Sequence, residues 1–224
     1  MYTLFRAMTA ADIPKDVVIA SLAWRQHNPS RAGVYDKSPE TKVRCRGNRY
    51  RFFAVDDEGS LEAVLVPYDS SRMILPTSTA VVTSVGDTEQ LIRWRSFSPT
   101  VVHAFTEAVG DANPIHRDDC CIVPGCLLMA AFYEDWPSVI RGNKENESLQ
   151  EGDTLGIDAV GSEMACGDTK IPTTKDTIQE IRIRFRNPVY RDTPLFLRSE
   201  GPTDYTVITA DGRRQFEVVI TVSA

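Results

Sequence analysis

The sequence predicts an α+β fold in which an antiparallel sheet curls around one buried helix. Residues 126–136 (CLLMAAFYEDW) are apolar or small on every side of the first two turns, as in a helix surrounded by protein. Residues 181–222 then contain several short runs in which apolar and polar residues alternate, which is the two-residue period of half-buried strands. A buried helix followed by consecutive strands is typical of a sheet wrapped around that helix.

The composition is that of a globular protein and argues against two function classes. The chain has 224 residues, with 42% hydrophobic residues, 25% charged residues and a net charge of −6. The negative net charge disfavours binding to nucleic acid, which depends on neutralising phosphates. No apolar run approaches the roughly 20 residues that a helix needs to span a bilayer.

The cysteines and histidines predict neither disulfides nor a metal site. Five cysteines at irregular spacing favour reduced thiols, and the three histidines do not pair with cysteines at ligand spacing. The amino-terminal residues lack the pattern of a secretory signal. We therefore expect a cytoplasmic protein without a metal.

The first 87 residues predict one helix followed by three or four strands, with no catalytic constellation. The helix is expected over residues 10–25, where Asp12 can cap and Pro14 suits the first turn. Strands are expected over three runs, the first interrupted by a turn at Gly47-Asn48: 43–55, 61–66 and 73–85. We predict a first unit of residues 1–87 and a second of 88–224, although a continuous sheet across the boundary fits equally well.

The second unit predicts a helix, a bent loop, the buried helix and then strands. A short strand is expected over 94–97, and Ser98-Pro99 then begins a helix that Gly110 ends. Residues 111–121 are predicted as a loop because Asn113-Pro114 cannot continue a helix. The buried helix is expected to end at Pro137, with a polar loop over 141–152. The later strands are expected at alternating apolar residues: Ile181, Ile183 and Phe185; Leu195 and Leu197; Tyr205 and Val207; Phe216, Val218, Ile220 and Val222.

The segment GDANPIH, residues 110–116, carries the chemistry. Adding water to a carbon–carbon double bond, or removing it, needs one proton-transfer group for the carbon next to the carbonyl and another for the oxygen. Asp111 and His116 lie five residues apart on a loop bent by Asn-Pro, so both can face one substrate. Asn113 can hold the loop by bonding to backbone. We predict Asp111 and His116 as the acid–base pair.

The start of the buried helix is the predicted oxyanion contact. The amino terminus of a helix offers unpaired N–H groups and a favourable dipole for the charge that develops on a thioester oxygen. The predicted oxyanion or substrate contacts are Gly125, Asn113, Val123 and Cys126. A thiolate at Cys126 would gain from the helix dipole, but no partner base is placed by the sequence, so packing is the favoured interpretation.

GDANPIH followed by IVPGCLLMAAF resembles the MaoC-like, or (R)-specific enoyl-thioester hydratase (hydratase 2), branch of the hotdog superfamily. The later stretch IRIRFRNPVYRDTPL resembles it too, so the resemblance covers about residues 93–224. It implies a hotdog fold, with Asp111 and His116 as the catalytic pair and the Gly125 amide as the oxyanion contact. It further implies acyl substrates on coenzyme A or acyl carrier protein, no metal or redox cofactor, and a homodimer or a double hotdog whose first half is degenerate.

The sequence departs from that family in the segment before the helix. Ile122 stands where the family usually has alanine or serine, and only eight residues separate His116 from Gly125. Three rival functions therefore stay open. They are an isomerase or cyclase of polyketide-type secondary metabolism using the same pair, a non-catalytic acyl-binding scaffold, and thioester hydrolysis.

Three arginines alternate along a predicted strand: Arg182, Arg184 and Arg186. The simplest interpretation is the solvated side of a half-buried strand. A contact with coenzyme A phosphates or an acidic carrier protein is the alternative.

Overall fold

The computed structural model describes residues 1–27, 38–68, 91–117, 121–148 and 178–223, with the backbone alone over 137–148. The described helices are α1 (Tyr2–Thr9), α2 (Pro99–Val109) and α3 (Gly125–Ser148), with a short 3₁₀ helix over Pro114–His116. The described strands are β1 (Val17–Gln26), β2 (Glu40–Arg46), β3 (Arg49–Val55), β4 (Gly59–Pro67), β5 (Leu91–Arg93), β6 (Ile178–Phe185), β7 (Leu195–Ser199), β8 (Asp204–Thr209) and β9 (Arg214–Val222).

All the described strands form one antiparallel sheet in the order β2-β3-β4-β1-β6-β9-β8-β7-β5. The first four come from residues 1–87 and the others from residues 88–224. The two sets meet where β1 pairs with β6, with Leu22 opposite Ile183 and Trp24 opposite Ile181. The sheet is therefore continuous across the predicted boundary.

The buried part of α3 fills the concave side of this sheet. Residues 126–132 are all buried, and the helix lies against β1 and β6. The strands contribute their inward-facing residues to the same core, as the alternation in β6 shows: Ile181 and Ile183 are buried while Arg182 and Arg184 are exposed. The predicted wrapping of the sheet around the helix is confirmed.

Several local predictions are confirmed because neighbouring residues decide them. The side chain of Ser98 accepts a hydrogen bond from the Val101 amide at the start of α2, and Gly110 ends that helix at a φ of 73°. Gly47, with a φ of 62°, lies in the turn that joins β2 to β3. A left-handed φ costs glycine little, which is why it occupies both positions.

The predicted helix over residues 10–25 is wrong. The helix is α1, eight residues nearer the amino terminus, and residues 17–26 form β1. In α1 the buried residues Leu4, Phe5 and Met8 have the spacing of one helix face. The β-branched run Val17-Val18-Ile19 favours a strand, and pairing with β4 and β6 on both sides stabilises it there.

The boundaries near 94 and 137 also differ from prediction. The short strand is β5, and residues 94–97 follow it as an extended segment whose Trp94 amide donates to the Leu195 carbonyl at 2.9 Å. Helix α3 continues through Pro137 to Ser148, so residues 141–148 are not a loop. Proline removes one backbone donor from a helix, a loss that a long helix can tolerate. The predicted strand over 73–85 lies outside the described residues.

Candidate active site

The structure brings Asp111 and His116 together. Gly110 ends α2 and turns the chain, and the 3₁₀ helix then returns His116 towards Asp111. The Oδ2 atom of Asp111 lies 3.4 Å from Nε2 of His116, and their side chains are 20% and 8% exposed. The loop therefore points both side chains at one small volume that is mostly shielded from water.

The other ring nitrogen of His116 fixes the tautomer. Nδ1 lies 2.6 Å from the carbonyl oxygen of Ile122. Because a carbonyl oxygen can only accept, Nδ1 must carry a proton in this contact. When the imidazole is neutral, its free lone pair is therefore on Nε2, the atom that faces Asp111.

Burial lowers the pKa of His116 from its ordinary value of 6.5, because removing the ring from water disfavours its charged form. The negative charge of Asp111 and the hydrogen bond to Ile122 oppose this shift, and the nearby cation of Arg117 adds to it. Desolvation is the largest of these effects. The imidazole is therefore held neutral at neutral pH, with Nε2 ready to accept a proton.

The remaining polar groups of the loop hold its shape. The Oδ1 atom of Asp111 accepts from the Asn113 amide at 2.9 Å, which leaves Oδ2 directed at His116. The side-chain amide of Asn113 donates to the Val17 carbonyl at 3.0 Å, and its Oδ1 accepts from the Ile115 amide. Asn113 lines the cavity, but these bonds make it an anchor between the loop and β1 rather than a free substrate contact.

The start of α3 lies on the same cavity. The first α-helical bond runs from the Leu128 amide to the Pro124 carbonyl at 3.1 Å, so the amides of Gly125, Cys126 and Leu127 precede it. A side chain at Gly125 would place a Cβ atom 3.0 Å from Cζ of Phe185 and 3.2 Å from Cδ1 of Ile19. A Cβ here would need Phe185 and Ile19 to shift by a few tenths of an ångström, so glycine lets the helix end approach β1 and β6 this closely.

The other two predicted contacts, Val123 and Cys126, also line the cavity. The amide of Val123 donates to the Val189 carbonyl at 2.8 Å, so it is already engaged and is not an oxyanion donor here. The Cys126 side chain is buried, and burial raises the pKa of its thiol well above the ordinary value, with the charge of Asp111 adding to the shift. The thiol therefore stays protonated, as the packing interpretation of Cys126 requires.

A cavity of about 590 Å³ extends from this site, within the usual size range of small-molecule pockets. Asp111, His116 and Gly125 line it on one side. The other side comes from the first 87 residues, including Phe5 and Met8 of α1 and residues 65–68 at the end of β4. This contribution has no signal in the sequence, because nothing local in α1 or β4 indicates which distant loop they face.

Helix α1 also holds the end of α2 that leads into the loop. The Nε atom of Arg6 donates to the Ala108 carbonyl at 2.9 Å, and Oγ1 of Thr9 donates to the Val109 carbonyl at 2.6 Å. The two carbonyls before these, of Thr106 and Glu107, accept hydrogen bonds from the amides of Asp111 and Gly110 respectively. All the last four carbonyls of α2 are thus satisfied, two of them by side chains from the other half of the chain.

In the described residues no group of three or more histidine, cysteine, aspartate or glutamate side chains could hold a metal ion. Over the same residues, no helix is both long enough and apolar enough to cross a membrane.

No family model and no curated protein matches this sequence, but solved structures do. HtdX from Mycobacterium tuberculosis has a TM-score of 0.53 at 14% identity, over 98% of this chain and 83% of that one. Peroxisomal multifunctional enzyme type 2 from Drosophila melanogaster has a TM-score of 0.52 at 9% identity, over 99% of this chain and 40% of that one. A MaoC-like dehydratase from Phytophthora capsici has a TM-score of 0.46 at 15% identity, over 96% and 75%. Thioesterases are also among the similar structures.

The predicted hotdog fold is confirmed: the chain has a large antiparallel sheet wrapped around a central helix, as its structural neighbours do. At these identities the likeness shows the fold alone. One fold can host several chemistries, so only the site can indicate the reaction.

Proposed function

We propose that this protein is a hydro-lyase that interconverts a β-hydroxyacyl thioester and an enoyl thioester. One observation carries the proposal: Oδ2 of Asp111 and Nε2 of His116 face each other at 3.4 Å on the wall of a cavity, beside the start of a buried helix. A lone loop aspartate and a packed histidine would not need this shared orientation.

In the dehydration direction His116 is the base on carbon. Its Nε2 takes the proton next to the thioester carbonyl, and the electron pair forms the new double bond as the C–O bond to the hydroxyl breaks. In this direction the reactive form of the pair carries one proton, on Asp111, which passes to the departing hydroxyl so that it leaves as water. Hydration is the reverse: Asp111 takes a proton from water and His116 protonates the carbon, so the pair holds one proton throughout.

The start of α3 supports the negative charge that develops on the thioester oxygen during this reaction. The Gly125 amide precedes the first helical hydrogen bond and lies on the cavity wall. Backbone donors and the helix dipole stabilise such a charge, and losing one donor of this kind costs about 10²–10³ in turnover. Cys126, whose adjacent amide is also in the first turn, contributes packing rather than a nucleophile.

The first 87 residues form a reduced hotdog repeat in this proposal. In the sheet, β1 pairs with β6, and β4-β3-β2 extend from β1 as β9-β8-β7 extend from β6. Helix α1 comes before β1 as α3 comes before β6. The pairing that joins two hotdog subunits would thus occur within one chain, and any homodimer would form outside this pairing.

The test is hydration of a series of trans-enoyl thioesters from four carbons upward, followed by loss of the conjugated absorbance. Asp111→Asn and His116→Ala are each expected to reduce kcat/KM by about 10²–10⁴, the usual contribution of a proton-transfer group. His103→Ala is the matched control, because His103 is exposed on α2 away from the pair. It should leave the rate unchanged.

The same assay separates the rival functions. Release of free thiol without prior hydration would show thioester hydrolysis instead. No change in absorbance with any chain length would favour the isomerase or cyclase, and would refute the hydro-lyase. Folded Asp111→Asn and His116→Ala variants with full function in cells would favour the acyl-binding scaffold.

A further inference from the structure

The hairpin of β2 and β3, residues 40–55, is strongly basic although the chain as a whole is acidic. It carries five cationic side chains and one acidic side chain, Glu40; the cations are Lys42, Arg44, Arg46, Arg49 and Arg51. Strand β2 is the outer strand at one end of the described sheet, and each of its residues is exposed. We call this segment the basic hairpin.

The register places all five cations on one face. Arg44 lies directly opposite Arg51 and Arg46 directly opposite Arg49, and Lys42 lies two residues before Arg44 on the same strand. Like charges directly opposite each other destabilise a strand pair. With the residues that the structure describes, none of the five forms an ion pair, so this cost is not offset within the described fold.

Three arginines elsewhere on the same outer face of the sheet are compensated, whereas Arg184 forms no ion pair with the described residues. Arg182 and Arg25 both contact Glu180 at 2.9 Å, and Arg186 forms two hydrogen bonds with Glu217. The predicted basic stripe on β6 is therefore largely neutralised. The unpaired positive charge is concentrated on the basic hairpin instead.

The basic hairpin also lies beside the cavity. In the pairing of β3 with β4, Tyr50 lies opposite Leu65. If the same antiparallel register continues for two more residues, the Gly47-Asn48 turn lies beside Pro67. Pro67 is exposed and lines the cavity, as does the exposed Lys15. Neighbouring strands are about 4.8 Å apart, so the turn lies one strand away from this cavity-lining end of β4, although the five cations face the opposite side of the sheet from Leu65.

We propose that the basic hairpin docks an acidic carrier protein that presents the acyl thioester to the cavity. This inference rests on the proposed function and extends it to the carrier. From Lys42 to Arg46 the cations extend along about 13 Å of strand, on an exposed face rather than in a pocket. A single phosphate needs donors that converge, whereas an acidic protein surface can meet a row of separated cations.

A second feature favours a protein partner. Phe53 lies directly opposite Lys42 on the same face and is 43% exposed. An exposed aromatic ring beside arginines is typical of the residues that dominate protein–protein binding energy. The positive charges would guide the carrier and Phe53 would supply apolar contact area.

The experiment compares two double variants that remove the same charge. Arg44→Gln/Arg51→Gln neutralises one opposed pair of the basic hairpin. Arg184→Gln/Arg214→Gln neutralises two exposed arginines in the other half of the sheet. Binding of a fluorescently labelled acidic acyl carrier protein bearing a butenoyl group is measured by anisotropy at several salt concentrations, and turnover is measured on that carrier and on butenoyl-pantetheine.

We expect the hairpin variant to bind the carrier about tenfold more weakly than the wild type, with a shallower salt dependence, and the control variant to stay within about twofold. On the carrier, kcat/KM should fall by the same factor, while turnover of butenoyl-pantetheine stays unchanged. Unfolding of the hairpin variant should occur at the same or a higher denaturant concentration, because an opposed like-charge pair is gone.

Equal weakening in both variants, or no salt-dependent binding by the wild type, would overturn the docking proposal. So would an equal hairpin-dependent effect on heparin or butenoyl-coenzyme A, which would show a general anion surface. The binding measurement does not need turnover. Carrier binding that depends on the basic hairpin, without any hydration, would refute the proposed function but support the docking surface. Hydration together with carrier binding that does not depend on the basic hairpin would refute the docking surface but support the proposed function.

Discussion

Replacing Thr9 by valine tests whether the first half of the chain positions the catalytic loop. Valine keeps the shape of threonine but cannot donate to the Val109 carbonyl, which Oγ1 of Thr9 approaches at 2.6 Å. That carbonyl belongs to the peptide bond with Gly110, and Asp111 is the next residue. The contact joins residues 100 positions apart, so it links α1 directly to the end of α2.

The size of the effect follows from the partial burial of this bond. Leaving a buried acceptor without its donor costs about 1–3 kcal/mol, and the contact here is partly buried, so we expect a loss of about 1 kcal/mol in the free energy of unfolding. A shift of the loop also moves Asp111 relative to the substrate. Since small misplacements of catalytic groups are expensive, kcat should fall by roughly tenfold while KM changes less.

The assay is urea unfolding together with the kinetics of enoyl-thioester hydration, for Thr9→Val and for Thr9→Ser. Serine retains the hydroxyl and should recover most of both losses. A purely structural role would reduce the unfolding free energy of Thr9→Val and leave kcat at the wild-type value. That result, or a serine variant as impaired as the valine variant, would refute positioning by Thr9.

Three further predictions concern the site itself. Because burial lowers the pKa of His116, the unfolded chain binds a proton more readily than the folded chain does. The free energy of unfolding should therefore fall as the pH falls from about 6.5 towards the lower folded-state pKa. His116→Gln should flatten this loss in urea titrations across that pH range. Gly125→Ala should destabilise the protein by about 1–3 kcal/mol in urea unfolding and lower kcat, because its Cβ would press on Phe185 although alanine favours a helix more than glycine does. An unimpaired Gly125→Ala enzyme would contradict the geometry. Cys126 should resist alkylation by iodoacetamide at pH 8 in the folded protein, as measured by mass spectrometry, because its thiol is buried and its pKa is raised. Rapid alkylation of Cys126 would show that the thiol is accessible and reactive instead.

The parts of the site that the sequence could predict are those decided within a few residues. Ser98 caps α2, Gly110 ends it and Asn113 bends the loop through contacts four residues away or fewer. The pairing of Asp111 with His116 follows from this local geometry. A hydrogen-bonded turn of this kind needs no knowledge of the rest of the chain.

The parts that the sequence could not predict depend on residues far apart in the chain. The Ile122 carbonyl that fixes the His116 tautomer and the Val17 carbonyl that holds Asn113 have no sequence signature, because any residue has a carbonyl. The strand identity of residues 17–26 was also decided by partners, since β4 and β6 pair with both of its edges. A short amphipathic segment does not reveal which neighbours it will meet.

The pairing of β1 with β6 lies near the middle of the sheet, so separating these two strands would expose backbone hydrogen-bonding groups that are paired in the full chain. Residues 88–224 made as a separate chain would present β6 with unpaired backbone groups and would lose one side of the cavity. An open edge of this kind is a template for another strand. Such a fragment would join a second molecule of itself through β6, so its folding would depend on concentration, whereas the full chain closes the same edge with its own amino-terminal residues.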